Sequence, residues 1–164
     1  MKGTVIQINI KPKDESGVGL PKLSVKSVEI HIDGVGDDYN YYRQSDKQGT
    51  PNRAVLLMTM DKINELQLEG WPIQPGDLGE NLTIDGLKYD QIKIGQKFKI
   101  NQLEIEIEEI CNPCRNLRFL NYVGDRVDEF IKTMKGRRGW YARVVKEGTV
   151  KINDEILLTP DCIY

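Results

Sequence analysis

Short runs of Ile, Val and Leu, cut off repeatedly by Gly, Pro, Asn or Asp, constrain the folding of this chain more than any other feature. They predict strands at Gly3–Ile10, Ser24–Ile32, Arg53–Met58, Asn81–Ile84, Lys97–Ile100, Leu103–Ile110, Trp140–Val145 and Glu155–Leu158. Many short strands with turn-rich connections point to a β-barrel or a sandwich. Two stretches have helical spacing instead. Asp61–Leu68 carries Ile63, Leu66 and Leu68, with Thr59 or Asp61 as N-cap and Gly70 as stop. Arg126–Met134 places Val127, Phe130, Ile131 and Met134 on one face. No internal repeat or long linker divides the sequence, so residues 1–164 are expected to form one domain. Pro12–Pro21 and Asp33–Gly49 are expected to be surface loops.

The run Leu103–Ile107 alternates apolar and acidic residues and leads into Cys111-Asn112-Pro113-Cys114-Arg115. Pro113 forbids regular ladder pairing, so the thiols are expected in a turn or at a helix start beyond the strand end. A thiolate there, with Arg115 as a basic neighbour, is suited to act as nucleophile or soft-metal ligand. The alternative for Cys114 is a small buried hydrophobe. Cys111 reads as a packed strand-end residue, because a redox C-x-x-C normally opens a helix in a βαβ context. A structural zinc site would need about four ligands. Cys111, Cys114, Cys162 and His31 supply that number without zinc-like spacing, and Cys162 is read as incidental.

Composition narrows the partners. A net charge of −2 gives no reason to expect nucleic acid. No apolar run approaches the roughly 20 residues of a membrane span, and no secretory signal opens the sequence. Three cysteines argue against a disulfide framework, so the expected location is the cytoplasm.

Other residues carry two readings each. Gly79, Glu80 and Asn81 suit a turn, and their backbone N–H groups and the Asn81 amide also suit a ring edge or phosphate. Arg137, Arg138 and Arg143 make either a solvated face or a phosphate clamp. Trp140 either packs in the core or stacks on a ring. Asp37 is a turn residue or a ligand-orienting acid, and Tyr39, Tyr41 and Tyr42 either line a pocket mouth or decorate a loop. His31, the sole histidine, reads as a satisfied core or surface residue.

Five blocks resemble the MOSC domain, the module named after the C-terminal part of molybdenum cofactor sulfurases. They are Gly34–Asp38, the glycine-rich run Pro75–Leu87, Ile94–Ile100, Glu109–Cys114 with its proline-cysteine, and Arg137–Val144, in that order over roughly residues 1–158. The family's glycine-aspartate loop is commonly followed by arginine-histidine, where Asp38-Tyr39-Asn40 stands here.

The resemblance implies a mainly β fold, a closed or partly closed β-barrel with a few short α-helices. It implies binding of the molybdenum cofactor (molybdopterin), with Cys114 as molybdenum ligand or persulfide carrier. Asn81, Glu80, Gly79, Asp37, Arg115, Arg138 and Trp140 would line the cofactor site, and Arg115 would support the thiolate. No pyridoxal-phosphate desulfurase domain is part of this sequence, so sulfur or finished cofactor is expected from donor or acceptor proteins. A cofactor carrier, a molybdenum-dependent reductase of N-hydroxylated compounds, and a pterin-free persulfide relay or interaction module all remain open. Oligomeric state is left open as well.

Overall fold

The computed structural model describes residues 1–11, 19–38 and 51–160. Its strands in chain order are β1 (Lys2–Ile10), β2 (Leu23–Val25), β3 (Ser27–His31), β4 (Gly34–Val35), β5 (Val55–Thr59), β6 (Leu82–Asp85), β7 (Lys97–Ile100), β8 (Leu103–Ile110), β9 (Trp140–Lys146), β10 (Gly148–Lys151) and β11 (Glu155–Leu158). The helices are α1 (Met60–Leu68) and α2 (Val127–Met134). Neighbouring strands run β11-β7-β8-β9-β5-β6-β1, and β11 pairs back onto β1, closing a barrel that β2 extends beyond β1. A barrel, not a sandwich, is the architecture.

Alternation explains most of the barrel wall. Leu103, Ile105 and Ile107 of β8 are buried while Glu104, Glu106 and Glu108 stay partly exposed. Opposite them, Trp140, Ala142 and Val144 of β9 are buried. Arg143 faces outward and reaches Glu106 at 2.6 Å and Glu108 at 2.7 Å. β5 departs from alternation because all five of its residues are buried. It lies between β6, which it pairs in parallel, and β9. α1 supplies part of the crossover between the two parallel strands, as such a connection requires. α2 presents fully buried Phe130, whose ring lies 4.6 Å from Trp71 and edge-on to Tyr122 at 6.2 Å.

Most predicted elements are present within a residue or two, and the stretch Ser24–Ile32 differs. The single strand expected at Ser24–Ile32 is two strands, β2 and β3, broken at Lys26. β2 adds to the barrel, while β3 joins a second sheet in the order β10-β3-β4, whose outer strands lack a long alternating run. The Lys26 carbonyl accepts the Ile152 N–H instead of a barrel partner (3.2 Å), which marks the crossing between sheets. Thr59 occupies the N-cap of α1 without a side-chain cap bond, and its buried hydroxyl has no hydrogen-bond partner. Parts of both predicted loops, including Tyr39, Tyr41 and Tyr42, and also Cys162, lie outside the described residues.

Candidate functional site

Register across the barrel explains why blocks far apart in sequence meet. Ile8 pairs with Leu82, Leu82 with Leu57, Leu57 with Trp140, and Trp140 with Ile110. One row across five strands thus joins the end of β1, the start of β6, the start of β9 and the end of β8. The segments continuing from that row are the Pro75–Asn81 run, Arg137–Gly139 and Cys111–Cys114.

Arg138 is where they converge. It is buried, with Nε and Nη2 donating to the Leu78 carbonyl at 3.3 Å. Nη1 donates to the Asn112 carbonyl at 2.9 Å and to Cys114 Sγ at 3.5 Å. Burial alone would lower the guanidinium pKa, but Cys111, Cys114 and Tyr141 around it hold it above its ordinary value. Cys114 is half-buried, in extended backbone just before a 3-10 turn at Arg115–Phe119. Cys111 is 1% exposed, and burial pushes its thiol up while Arg138 opposes the shift.

Gly139 allows this arrangement. Its backbone sits at φ +112°, and an added Cβ would lie 2.5 Å from the Leu57 carbonyl oxygen. That close approach lets the Gly139 carbonyl accept the Cys111 N–H (2.9 Å) and its own N–H reach the Tyr89 hydroxyl (3.1 Å). The next residue, Trp140, is 8% exposed, with its ring centroid 5.7 Å from that of Tyr89. It is therefore a wall of the barrel interior.

The glycine-rich run is an internally bonded brace. Asn81 is buried, and its Oδ1 accepts the Leu56 N–H at 3.1 Å. Its Nδ2 donates to the Asn9 carbonyl at 3.3 Å and to Asp38 Oδ2 at 2.9 Å. Glu80 is fully buried, with Oε1 accepting the Gly76 N–H at 2.7 Å and the Thr83 hydroxyl at 3.1 Å. Its Oε2 is buried without a hydrogen-bond partner, and desolvation raises the carboxyl pKa to about 7. The Gly79 N–H donates to the Gly76 carbonyl at 3.3 Å. The Asp77 carboxylate accepts the Tyr122 hydroxyl at 2.9 Å, which fastens the run to the segment before α2.

Asp37 is exposed, and its neighbour Asp38 is the oriented acid. A turn closed by the Asp38 N–H to the Val35 carbonyl (2.8 Å) sends the Asp38 carboxylate inward. There it accepts the Lys11 N–H at 2.7 Å and pairs with Lys22 Nζ at 2.6 Å, with side-chain exposures of 1% for Asp38 and 5% for Lys22. Asp38, Lys22 and Asn9 were not singled out from sequence. Lys22 lies 16 residues from its acid, and no local pattern links the two. Arg115 is exposed and paired with Asp128 at 2.7 Å, so the guanidinium hydrogen-bonded to the thiol comes from Arg138 instead. Arg137 joins Glu65 and Glu69 at the end of α1, away from this cluster. His31 is exposed between Glu29 and Glu147 at the end of β3, the middle strand of the second sheet.

The fold and site together define a closed β-barrel with a thiol-bearing segment braced by a buried arginine. The chain belongs to the MOSC domain family, whose description matches residues 44–157. This family is associated with the molybdenum cofactor. Solved structures share the barrel at low identity. The YUAD protein from Bacillus subtilis superimposes with a TM-score of 0.77 at 21% identity, over 95% of this chain and 94% of that one. YiiM from Geobacillus stearothermophilus gives a TM-score of 0.73 at 20% identity, over 98% of this chain and 77% of that one. YiiM from Escherichia coli gives 0.71 at 20% identity, over 98% and 70%. In sequence, the chain is 32% identical to YflK of Bacillus subtilis (strain 168) over 79 residues, 48% of this chain. That match spans 35% of the length of the curated relative. Among the described residues, no helix is long and apolar enough to cross a membrane.

Proposed function

We propose that this chain, as one domain over residues 1–164, binds the molybdenum cofactor in the cytoplasm and carries or delivers it, with Cys114 as thiolate ligand to the molybdenum. The observation that carries this reading is the half-buried Cys114 thiol, hydrogen-bonded to the buried guanidinium of Arg138 at 3.5 Å. A thiolate suits a soft metal centre, and a permanently charged guanidinium supplies its counter-charge without competing for the metal. Among the described residues no group of three or more His, Cys, Asp and Glu side chains converges as a metal site. A metal that brings its remaining ligands with it, as a pterin-bound ion does, fits these residues better than a bare ion.

The residues divide the work. Cys114 binds, and Arg138 orients the thiol while tying it to Leu78 next to Gly79. Asn81 and Glu80 Oε1 bond to the frame and hold the site's shape, while Glu80 Oε2 is left without a partner. The cofactor, when bound, supplies redox or sulfur-transfer chemistry, and the chain supplies position and access. Carriage of a transferable sulfur on Cys114 is a second reading, favoured by the same partly accessible thiol, with sulfur donor or acceptor proteins as partners.

The test is molybdenum content per polypeptide after purification from a host that makes the cofactor, for wild type and Cys114→Ser in parallel. Near-stoichiometric metal that disappears in the variant supports the ligand role and directs assays to N-hydroxylated substrates. A sulfur adduct on Cys114 without metal supports sulfur carriage. Metal retained in Cys114→Ser refutes the ligand assignment.

A further inference from the structure

One ion pair of this fold holds an amine and a carboxyl group in buried contact. Lys22 Nζ lies 2.6 Å from Asp38 Oδ2, with the two side chains 5% and 1% exposed. In the other ion pairs between described residues, at least one partner is well exposed. Asp38 Cγ is one bond beyond that oxygen, so it lies no more than about 3.8 Å from the amine. The carboxylate is held on both oxygens, because Oδ1 accepts the Lys11 N–H at 2.7 Å and Oδ2 accepts Asn81 Nδ2 at 2.9 Å. The lysine backbone is fixed as well, its N–H donating to the Gly76 carbonyl at 3.0 Å. Glu80 bonds to Gly76 and precedes Asn81, and its Oε2 is buried without a hydrogen-bond partner, so solvent does not reach this side of the cluster. A pair so buried loses much of its attraction to desolvation, and one proton moving from ammonium to carboxylate removes both charges. What remains is a neutral amine, a nucleophile, against a carboxylic acid.

We propose that Lys22 and Asp38 join in an intramolecular isopeptide bond, made by the folded chain itself. A proton passes from Lys22 Nζ to Asp38 Oδ2, and the nitrogen lone pair attacks Cγ. Negative charge gathers on Oδ1, where the Lys11 N–H already points. The Cγ–Oδ2 bond then breaks, and Oδ2 leaves as water with two of the ammonium's three hydrogens. The third stays on the new amide nitrogen. One positive and one negative charge vanish together, no electrons change hands, and no further reactant is needed. The fixed contact supplies the effective concentration that a free acid and a free amine lack in water. The bond ties the segment before β2 to the turn after β4, which makes β2, β3 and β4 part of one covalently closed loop. It involves neither Cys114 nor a cofactor.

The experiment measures the intact mass of the full chain under denaturing conditions, before and after long incubation in the folded state. The expected result is a mass lower by one water than the sequence requires, and a branched peptide joining Lys22 to Asp38 after proteolysis. Lys22→Arg keeps a positive charge beside Asp38 but offers no nucleophilic amine, so it is expected to retain the full mass. Asp38→Ala is expected to do the same, and the arginine variant decides alone if the alanine variant fails to fold. A folded wild type that still has its full sequence mass overturns the proposal. So does a water loss that persists in Lys22→Arg, which marks a succinimide at an aspartate instead. Molybdenum content enters neither readout, so the cofactor reading and the isopeptide fail separately.

Discussion

At Gly139 the backbone has φ +112°, and a Cβ there would meet the Leu57 carbonyl oxygen at 2.5 Å. Gly139→Ala is expected to cost about 3 kcal/mol, measured by denaturant unfolding, because steric overlap adds to left-handed strain. Gly70→Ala is the control. Its φ is +95° with nothing within 4 Å of the added carbon, so only the strain of about 1 kcal/mol remains. Glu80 makes a second prediction, about pH. Its folded pKa of about 7 lies above the ordinary 4.5, so the folded state holds this proton more tightly than the unfolded chain. Its contribution to stability is therefore full below pH 4.5 and is lost as pH rises through about 7, a change on the order of 3 kcal/mol. Glu80→Gln keeps the acceptor for Gly76 and should flatten that part of the stability–pH curve. A variant curve parallel to wild type would show that Glu80 is not the titrating group. Residue identities were legible where the backbone dictates them, as at Pro113 and the glycine-rich run. The Asp37–Asp38 pair shows the limit. Adjacent acids in a turn point in different directions, and only the turn closed on Val35 decides which carboxylate is oriented.

Between elements, the Asp38 carboxylate links three parts of the fold. It accepts from Lys11 after β1, from Lys22 before β2 and from Asn81 before β6. Asp38→Ala is expected to destabilise the protein by about 3 kcal/mol, because it leaves a buried cation and two buried donors poorer by one acceptor. Amide hydrogen exchange provides the local check, with faster exchange at Asn81 and Leu56 than in the distant β7–β8 pair. Period-two alternation made β8 and most of β9 legible, since one face is buried and the other carries paired charges. In the sequence reading β2 and β3 ran together, although Lys26-Ser27 sets two polar residues in a row and shifts the apolar positions from Leu23 and Val25 to Val28 and Ile30. The choice between Arg115 and Arg138 was likewise beyond local reading. Arg115 is adjacent to Cys114 in sequence but turns out to Asp128, whereas the Leu57 row brings Arg138 across from β9.

For the whole molecule, closure is the defining property. β7 and β11 complete the wall between β8 and β1, and Phe98 of β7, 1% exposed, pairs in register with Leu158 of β11. Phe98→Ala is expected to cost about 3–5 kcal/mol in chemical denaturation, the usual range for emptying a fully buried aromatic position. If β7 merely lay over a finished core, the loss would stay near the cost of an exposed substitution. Closure also explains what composition and periodicity left open between barrel and sandwich. The deciding contact, β11 on β1, joins Lys2 to Leu157, a pairing that no window of sequence contains.

The same seam sets the tempo of assembly. A ladder that registers Lys2 with Leu157 cannot form until nearly the whole intervening chain has been gathered, so its loop-closure entropy falls due before any of its bonds are made. Such long-range topology places folding in the slow regime of milliseconds to seconds typical of β-barrels. Until that ladder zips, β1 and β11 are unpaired edges. Crowded refolding should therefore divert chains into intermolecular strand pairing at this seam, and dilution should recover them.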